Sequence, residues 1–198
     1  MKEIEVLFEL NEGIEEVKQK FPKVTWEKYL VVDTYFESTD HARLSPGEDG
    51  RLISSLRLRE KQGIACLTYK DDHFGLNGDW LYSDEHEIEI PDKNTLEKIF
   101  KALGYKELVC VKNTKHLAKI GDYEIVLEEV ENLGNFIEIE YKGEQEILLE
   151  NVENKKNELR NFLIKQGVNF GKEMNAGKPE LLLKNLTNIS SKHKPSLN

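Results

Sequence analysis

Charged residues recur at every second position in four short segments of this chain, and together their side chains have the chemistry to bind a metal ion and phosphate. The segments carry Glu3 and Glu5; Arg57 and Arg59; Glu85, Glu87 and Glu89; and Glu138 and Glu140. Because strand side chains alternate between two faces, each segment places its charges opposite apolar residues such as Ile4, Leu58 and Ile139. Carboxylate clusters suit Mg²⁺ or Mn²⁺, which accept carboxylate and phosphate oxygens together. The pattern therefore predicts a metal-bound polyphosphate between the charged faces.

A half-buried sheet with one face in solvent is the commonest cause of such alternation, and any one segment fits that interpretation. The combination of segments fits it less well, because two carboxylates about 5 Å apart repel by about 3 kcal/mol at an effective dielectric constant near 20. Eight glutamates share the pattern: Glu3, Glu5, Glu85, Glu87, Glu89, Glu128, Glu138 and Glu140. Arg57, Arg59 and Lys70 are the matching positive groups, and a guanidinium fork fits phosphate oxygens. A metal-bridged anion would satisfy both sets of charges.

Eight strands and three helices are predicted to position these side chains. The strands are expected near residues 2–10, 29–37, 53–60, 64–70, 82–90, 107–118, 122–130 and 135–142. Helical spacing of apolar residues predicts helices near 14–21, 92–103 and 152–166, and the segment KPELLL at 178–183 is apolar enough to dock on the domain. This order predicts an antiparallel α+β fold and does not distinguish an open sheet from a closed barrel.

Size and composition exclude several classes of protein. The 198 residues suit one domain, expected at 1–184, with a disordered polar tail at 185–198. A formal charge of -9 disfavours a nucleic acid or an anionic membrane as partner. The chain shows neither a signal peptide nor a membrane-spanning segment, which predicts a cytoplasmic protein. Glycine-rich nucleotide motifs are absent, so side chains must bind any triphosphate.

Six short runs carry a family resemblance through their order and spacing. They are EIEV at 3–6, DTYF at 33–36, LRLR at 56–59, LTYK at 67–70, EHEIEI at 85–90 and LEEVENLGNFIEIE at 127–140. The chain thereby resembles the CYTH superfamily of triphosphate tunnel metalloenzymes, which includes class IV adenylyl cyclases, thiamine triphosphatases and inorganic tripolyphosphatases. The resemblance implies a closed antiparallel eight-stranded β-barrel, whose interior is a charged tunnel and whose helices pack outside.

The resemblance also implies roles for individual residues. The implied ligands of Mg²⁺ or Mn²⁺ are Glu3, Glu5, Glu87, Glu89, Glu138 and Glu140. The implied phosphate-binding residues are Arg57, Arg59, Lys70 and Lys115. Glu128, which stands where the family usually has Asp, and Lys115 are the implied catalytic residues.

Two positions depart from the family pattern. Leu7 stands where the N-terminal ExExK pattern ends in lysine, and Asn113 stands at the first position of the late-strand KxR pattern. Lys112 would lie on the opposite face from Lys115 unless a β-bulge intervened. A charge-assisted hydrogen bond contributes about 1.5 to 3 kcal/mol, so each missing lysine predicts roughly tenfold to hundredfold weaker phosphate binding.

The resemblance implies a metal-dependent enzyme that acts on a small-molecule triphosphate, organic or inorganic. We favour a triphosphatase, in which water attacks the terminal phosphorus. The first alternative is an adenylyl cyclase, in which a ribose 3′-hydroxyl attacks the α-phosphorus of ATP to give cyclic AMP and pyrophosphate. The second is a phosphate-binding module without turnover, which Leu7 and Asn113 favour. The sequence leaves monomer and homodimer equally open.

Overall fold

A single antiparallel sheet dominates the computed structural model, which describes residues 2–144 and 147–192. Its strands are β1 Lys2–Glu3, β2 Glu5–Leu10, β3 Glu27–Glu37, β4 Ser54–Lys61, β5 Ile64–Phe74, β6 Trp80–Ile90, β7 Lys106–Ile120, β8 Tyr123–Val130, β9 Gly134–Tyr141 and β10 Phe170–Glu173. Their order is β1-β6-β5-β4-β3-β7-β8-β9-β2-β10. The helices are α1 Ile14–Gln19, α2 Lys93–Ala102, α3 Val152–Lys165 and α4 Lys178–Lys192. The predicted α+β class is confirmed.

The strand count differs from the predicted eight because the N-terminal strand is divided and β10 is added. Lys2 and Glu3 pair with β6, whereas the residues from Glu5 onward pair with β9. Between them, the carbonyl of Ile4 accepts a hydrogen bond from the backbone N–H of Tyr141 at 3.0 Å. The sheet is therefore curled so far that one short segment lies against both β6 and β9.

The largest hydrophobic cluster of the described residues lies on the convex side of the sheet, under helices. Val6 and Leu127 are fully buried against α1 and α3, where Leu159 of α3 is also fully buried. On another part of the convex side, Phe100 of α2 meets Phe36 of β3 with ring centroids 5.0 Å apart. Burying such a side chain stabilises the fold by roughly 1.5 to 3 kcal/mol. Because the apolar faces point outward, the charged faces line the concave side.

Helix α4 closes one end of the concave side. Its Leu182 belongs to one buried apolar cluster with residues of the sheet, among them Leu7, Tyr35, Val111 and Phe136. Leu7 therefore has an apolar partner in α4, which gives a physical reason for leucine at this position. The apolar segment predicted to dock does so as the beginning of this helix.

Helix α4 also extends further than the sequence suggested. It continues to Lys192, so residues 185–192 of the predicted disordered tail are helical, and residues 193–198 lie outside the described part of the chain. Asn185 shows one cause, since its side chain donates a hydrogen bond to the carbonyl of Asn132 at 3.0 Å. Within the described residues, no helix is both long and apolar enough to cross a membrane.

Candidate functional site

The concave side of the sheet encloses a cavity of about 450 Å³. Most of the predicted site residues line it, namely Glu3, Glu5, Arg57, Arg59, Lys70, Glu87, Lys115, Glu128, Glu138 and Glu140. The strand register brings them together, since Thr68 lies between Arg57 of β4 and Glu87 of β6. Among the residues that the structure describes, twelve carboxylate and eight cationic side chains line the cavity, so negative groups exceed positive ones by four.

Glu89 is the predicted metal ligand that the structure leaves outside the cavity. It lies two residues beyond Glu87 on the same face of β6, is exposed, and pairs in register with Cys66. Glu87 itself lies at the cavity's edge, with 42% of its side chain exposed. The end of β6 extends beyond the cavity wall. The prediction from strand alternation therefore included one carboxylate too many, that of Glu89.

Three carboxylates form the cluster best suited to a metal ion. Ligand oxygens of Glu3, Glu5 and Glu140 all lie within 4.8 Å of one another. Burial, together with repulsion from Glu138, raises the pKa of Glu5 well above its usual range. Burial and the nearby charge of Glu3 raise the pKa of Glu140 to about 8. A divalent cation relieves this repulsion, and three carboxylates are the donors that Mg²⁺ and Mn²⁺ prefer, so the cluster fits either ion.

Arg59 is committed to an acidic partner that the sequence analysis did not single out as a site residue. Its Nε and Nη2 atoms donate to Oδ1 and Oδ2 of Asp33 at 2.7 and 2.8 Å. Burial opposes ionisation of Asp33, but the guanidinium of Arg59 outweighs it and holds the pKa of that carboxyl at about 2. Arg59 therefore has fewer N–H donors to offer a ligand than its neighbour Arg57.

Arg57 lines the cavity and has an N–H group without a hydrogen-bond partner among the described residues. Its Nη2 donates to Oγ1 of Thr68 at 3.1 Å, and the same atom lies 3.6 Å from Oε2 of Glu87. Its Nε is buried and has no hydrogen-bond partner among the described residues. A buried donor without a partner is costly, and a phosphate oxygen would satisfy it.

Lys70 lies beside the carboxylate cluster. Its Nζ is 3.5 Å from Oε1 of Glu5 and forms a short ion pair with Glu3. Burial opposes the charge, but these two carboxylates raise the pKa of Lys70 well above its usual range. The ammonium is thus fully charged at neutral pH and lies next to the candidate metal position.

Glu128 of β8 is fully buried and binds polar side chains of the neighbouring strand β7. Lys115, its neighbour in register on β7, places Nζ 3.0 Å from Oε1, and Asn113 donates to Oε2 at 2.8 Å. The pairing of β3 with β7 is continuous through residues 111–117, so no bulge brings the exposed Lys112 inward. Asn113 therefore faces the cavity in place of the lysine that the family pattern expects.

Lys178 is the site residue that sequence reasoning missed. It comes from α4, and its Nζ lies 3.1 Å from Oε1 of Glu128 and forms a short ion pair with Glu138. Burial opposes the charge on Glu138, but Lys178 and Lys115 outweigh it and hold the pKa of that carboxyl far below its usual range. Strand alternation cannot reveal a helical residue, and the only signal was its place at the start of the apolar segment 178–183.

Comparison with known proteins finds a matching family, a sequence relative and solved structures with a similar fold. The CYTH domain family matches residues 1–169. A protein of Methanocaldococcus jannaschii, provisionally named an adenylate cyclase, is 31% identical over 145 residues, which are 71% of this chain and 77% of that protein. The solved structure of the PH1819 protein of Pyrococcus horikoshii OT3 has a TM-score of 0.73 at 26% identity and covers 92% of this chain and 98% of its own.

A more distant solved structure comes from Hippeastrum. That protein, provisionally named an adenylyl cyclase and described as having a dominant triphosphatase activity, has a TM-score of 0.58 at 17% identity over 99% of both chains. At this identity the likeness concerns the fold alone. The match over residues 1–169 and the relative at 31% identity decide the matter: the chain belongs to the CYTH domain family.

Proposed function

We propose that this protein hydrolyses a small-molecule triphosphate in a metal-dependent reaction inside a closed tunnel. The observation that carries the proposal is the cluster of Glu3, Glu5 and Glu140 beside Lys70 and Arg57 in one cavity. Closure of the sheet into a barrel is supported by the N-terminal segment, which lies against both β6 and β9. Hydrolysis is compatible with this fold, since the Hippeastrum protein that shares it is described as having a dominant triphosphatase activity.

The charge of the cavity supports a requirement for metal. Its lining carries four more carboxylate than cationic groups, so a bare triphosphate would enter a site of its own sign. Glu3, Glu5 and Glu140 would hold Mg²⁺ or Mn²⁺, with Glu138 near them and Glu87 at the edge of the cavity. The bound metal supplies positive charge to the phosphate oxygens and lowers the pKa of an attacking water.

The protein's own residues then bind and orient the phosphates. Arg57 would donate its unpaired N–H to a phosphate oxygen, and Lys70 would offer its ammonium from beside the carboxylate cluster. Glu128 holds Lys115 in a fixed direction from the opposite wall, so Lys115 contributes charge without losing further side-chain freedom. Such positioning and electrostatic stabilisation account for most of the catalysis in phosphoryl transfer.

An assay of the purified full chain tests this function directly. Tripolyphosphate, ATP and thiamine triphosphate would each be incubated with Mg²⁺, with Mn²⁺ or with EDTA, and phosphate, pyrophosphate and cyclic AMP would be measured. We expect phosphate and the corresponding diphosphate, and no product in EDTA. Cyclic AMP with pyrophosphate from ATP would support the cyclase alternative, which the name of the Methanocaldococcus jannaschii relative favours. Ligand binding without any product would instead support the second alternative, a phosphate-binding module without turnover.

The variant Arg57→Ala is expected to weaken the affinity for tripolyphosphate with Mg²⁺ by roughly tenfold to hundredfold. Its melting temperature should change less than its affinity, because the partners of Arg57 are the hydroxyl groups of Thr68 and Tyr35 and the half-exposed carboxylate of Glu87. Isothermal titration calorimetry and thermal unfolding measure the two quantities. Arg43→Ala is the matched control, since Arg43 contacts Asp71 and Ser54 outside the cavity. A large drop in melting temperature with unchanged affinity would make Arg57 a structural residue instead.

A further inference from the structure

Part of strand β6 has a neighbouring strand on one side only. On the side away from β5, β1 pairs with Ser83 and Asp84, and no described residue pairs its backbone with residues 86–90. We call residues 86–90 the β6 edge. Residues 86–89 are exposed, and Ile88 is 63% exposed. Such an edge presents backbone N–H and C=O groups with which another extended chain can pair.

The side chains of the β6 edge alternate between an acidic and an apolar face. Glu87 and Glu89 lie on the cavity side of the sheet, and both are exposed. Ile88 and Ile90 lie on the convex side, where Ile88 pairs in register with Leu67 of β5. A strand added at this edge would set its side chains about 4.5 to 5.5 Å from these. The complementary strand therefore alternates cationic with aliphatic residues.

We propose that the β6 edge binds a basic segment of another protein, in which lysine or arginine alternates with aliphatic residues, and adds it to the sheet as a strand. The chain already uses the adjoining part of this edge in the same way, since β1 runs antiparallel to β6 and places Lys2 opposite Asp84 in register. In this mode, main-chain hydrogen bonds give affinity and alternating side chains give specificity. The inference does not rest on the proposed function.

Charge distinguishes this partner from a second copy of the chain. If two copies joined through the β6 edge with their cavity faces on the same side, glutamate would lie opposite glutamate. Two carboxylates about 5 Å apart repel by about 3 kcal/mol at an effective dielectric constant near 20. The same glutamates attract a cationic strand, and the formal charge of -9 adds a longer-range attraction. The edge therefore opposes self-association and selects a basic partner.

A synthetic peptide of alternating lysine and valine tests the inference on the purified full chain. Binding would be followed at physiological salt by the fluorescence anisotropy of the labelled peptide. Hydrogen exchange would show whether the peptide protects backbone amides within residues 86–90. We expect binding together with protection confined mainly to this segment.

Two methylated peptides separate strand pairing from attraction by charge. Consecutive residues of a strand direct their N–H groups to opposite sides, so either the lysine or the valine amides of the bound peptide face β6. N-methylation of the lysine amides in one peptide and of the valine amides in the other leaves the charge of both unchanged. We expect one of them to bind roughly tenfold or more weakly than the unmodified peptide, and the other to bind nearly as well.

The variant Glu89→Lys should weaken binding of the unmodified peptide about tenfold or more, because it replaces attraction with repulsion at the edge. Glu131→Lys is the matched control, since it changes the net charge equally at an exposed turn. That turn lies beside α4, where Asn132 accepts a hydrogen bond from Asn185. The control should alter the affinity by no more than about twofold, because salt screens distant charges.

A selective effect of one methylation, with protection of residues 86–90, would support strand addition. An equal effect of the two methylations, or equal weakening by the two lysine variants, would indicate attraction by net charge and overturn the inference. The inference is also overturned if the peptide does not bind at up to about 1 mM, or if the chain alone forms a dimer that protects the same amides. If Glu89→Lys does not fold, the methylated peptides decide the outcome with the wild-type chain.

Discussion

Replacing Asp33 with asparagine is expected to lower the free energy of unfolding by about 3 to 5 kcal/mol, because it removes one partner of a buried ion pair. Asp33 is 3% exposed, and both of its carboxylate oxygens accept hydrogen bonds from Arg59. The neutral amide would leave the guanidinium of Arg59 buried without its counterion. Urea unfolding at pH 7 measures the loss, which should appear as a lower midpoint with an unchanged slope.

The same ion pair makes the free energy of unfolding depend on pH in the acidic range. The pKa of Asp33 is depressed from its ordinary value of 3.8 to about 2. The ionised carboxylate therefore contributes its full stabilisation of the folded state at pH values above 3.8. That contribution is lost as the pH falls through about 2, and Asp33→Asn should lack this part of the pH dependence. Asp84→Asn is the control, because that side chain is 45% exposed and its loss should cost no more than about 1 kcal/mol. Equal losses in the two variants would contradict the assignment.

Replacing Glu5 with glutamine should lower metal-dependent hydrolysis at least about hundredfold while making the metal-free protein more stable. Burial and repulsion from Glu138 raise the pKa of Glu5 well above its usual range, so its ionised form is unfavourable in the fold. A carboxyl with a raised pKa loses stabilising effect as the pH climbs above its unfolded value. The amide removes that penalty at neutral pH, and it also removes a metal ligand.

Two measurements on matched variants check this prediction. The rate of phosphate release at saturating Mg²⁺ reports the loss of function, and the melting temperature in EDTA reports stability. Glu9→Gln is the control, since Glu9 lies on the same strand but is exposed and outside the cavity. A Glu5→Gln variant that retains the wild-type rate, or that melts at a lower temperature in EDTA, would contradict the proposed ligand role.

Strand alternation predicted the faces of the site residues well because it depends only on local geometry. Glu138 and Glu140 line the cavity while Ile137 and Ile139 are fully buried on the convex side. The extent of the cavity wall was not predicted, because it depends on where neighbouring strands end. Glu89 satisfies the alternation and still lies outside.

Partners distant in sequence account for the remaining differences. Lys178 is 40 residues from Glu138 and comes from a helix, so no periodicity connects the two. Asp33 is 26 residues from Arg59, and a single aspartate in an apolar strand carries no sign of its partner. The division of the first strand at Ile4 likewise follows from which strands lie on either side of it.

The location of the hydrophobic core outside the sheet has a consequence for how this protein can evolve. Aliphatic residues such as Val6, Leu127 and Leu159 hold the architecture together from the convex side. Apart from ion pairs such as Asp33 with Arg59 and the apolar cluster under α4, the inward-facing positions are thus under weaker packing constraint. New specificity can arise there by point substitution while the scaffold is conserved, and a mutant library confined to the inward positions should retain a high fraction of folded members.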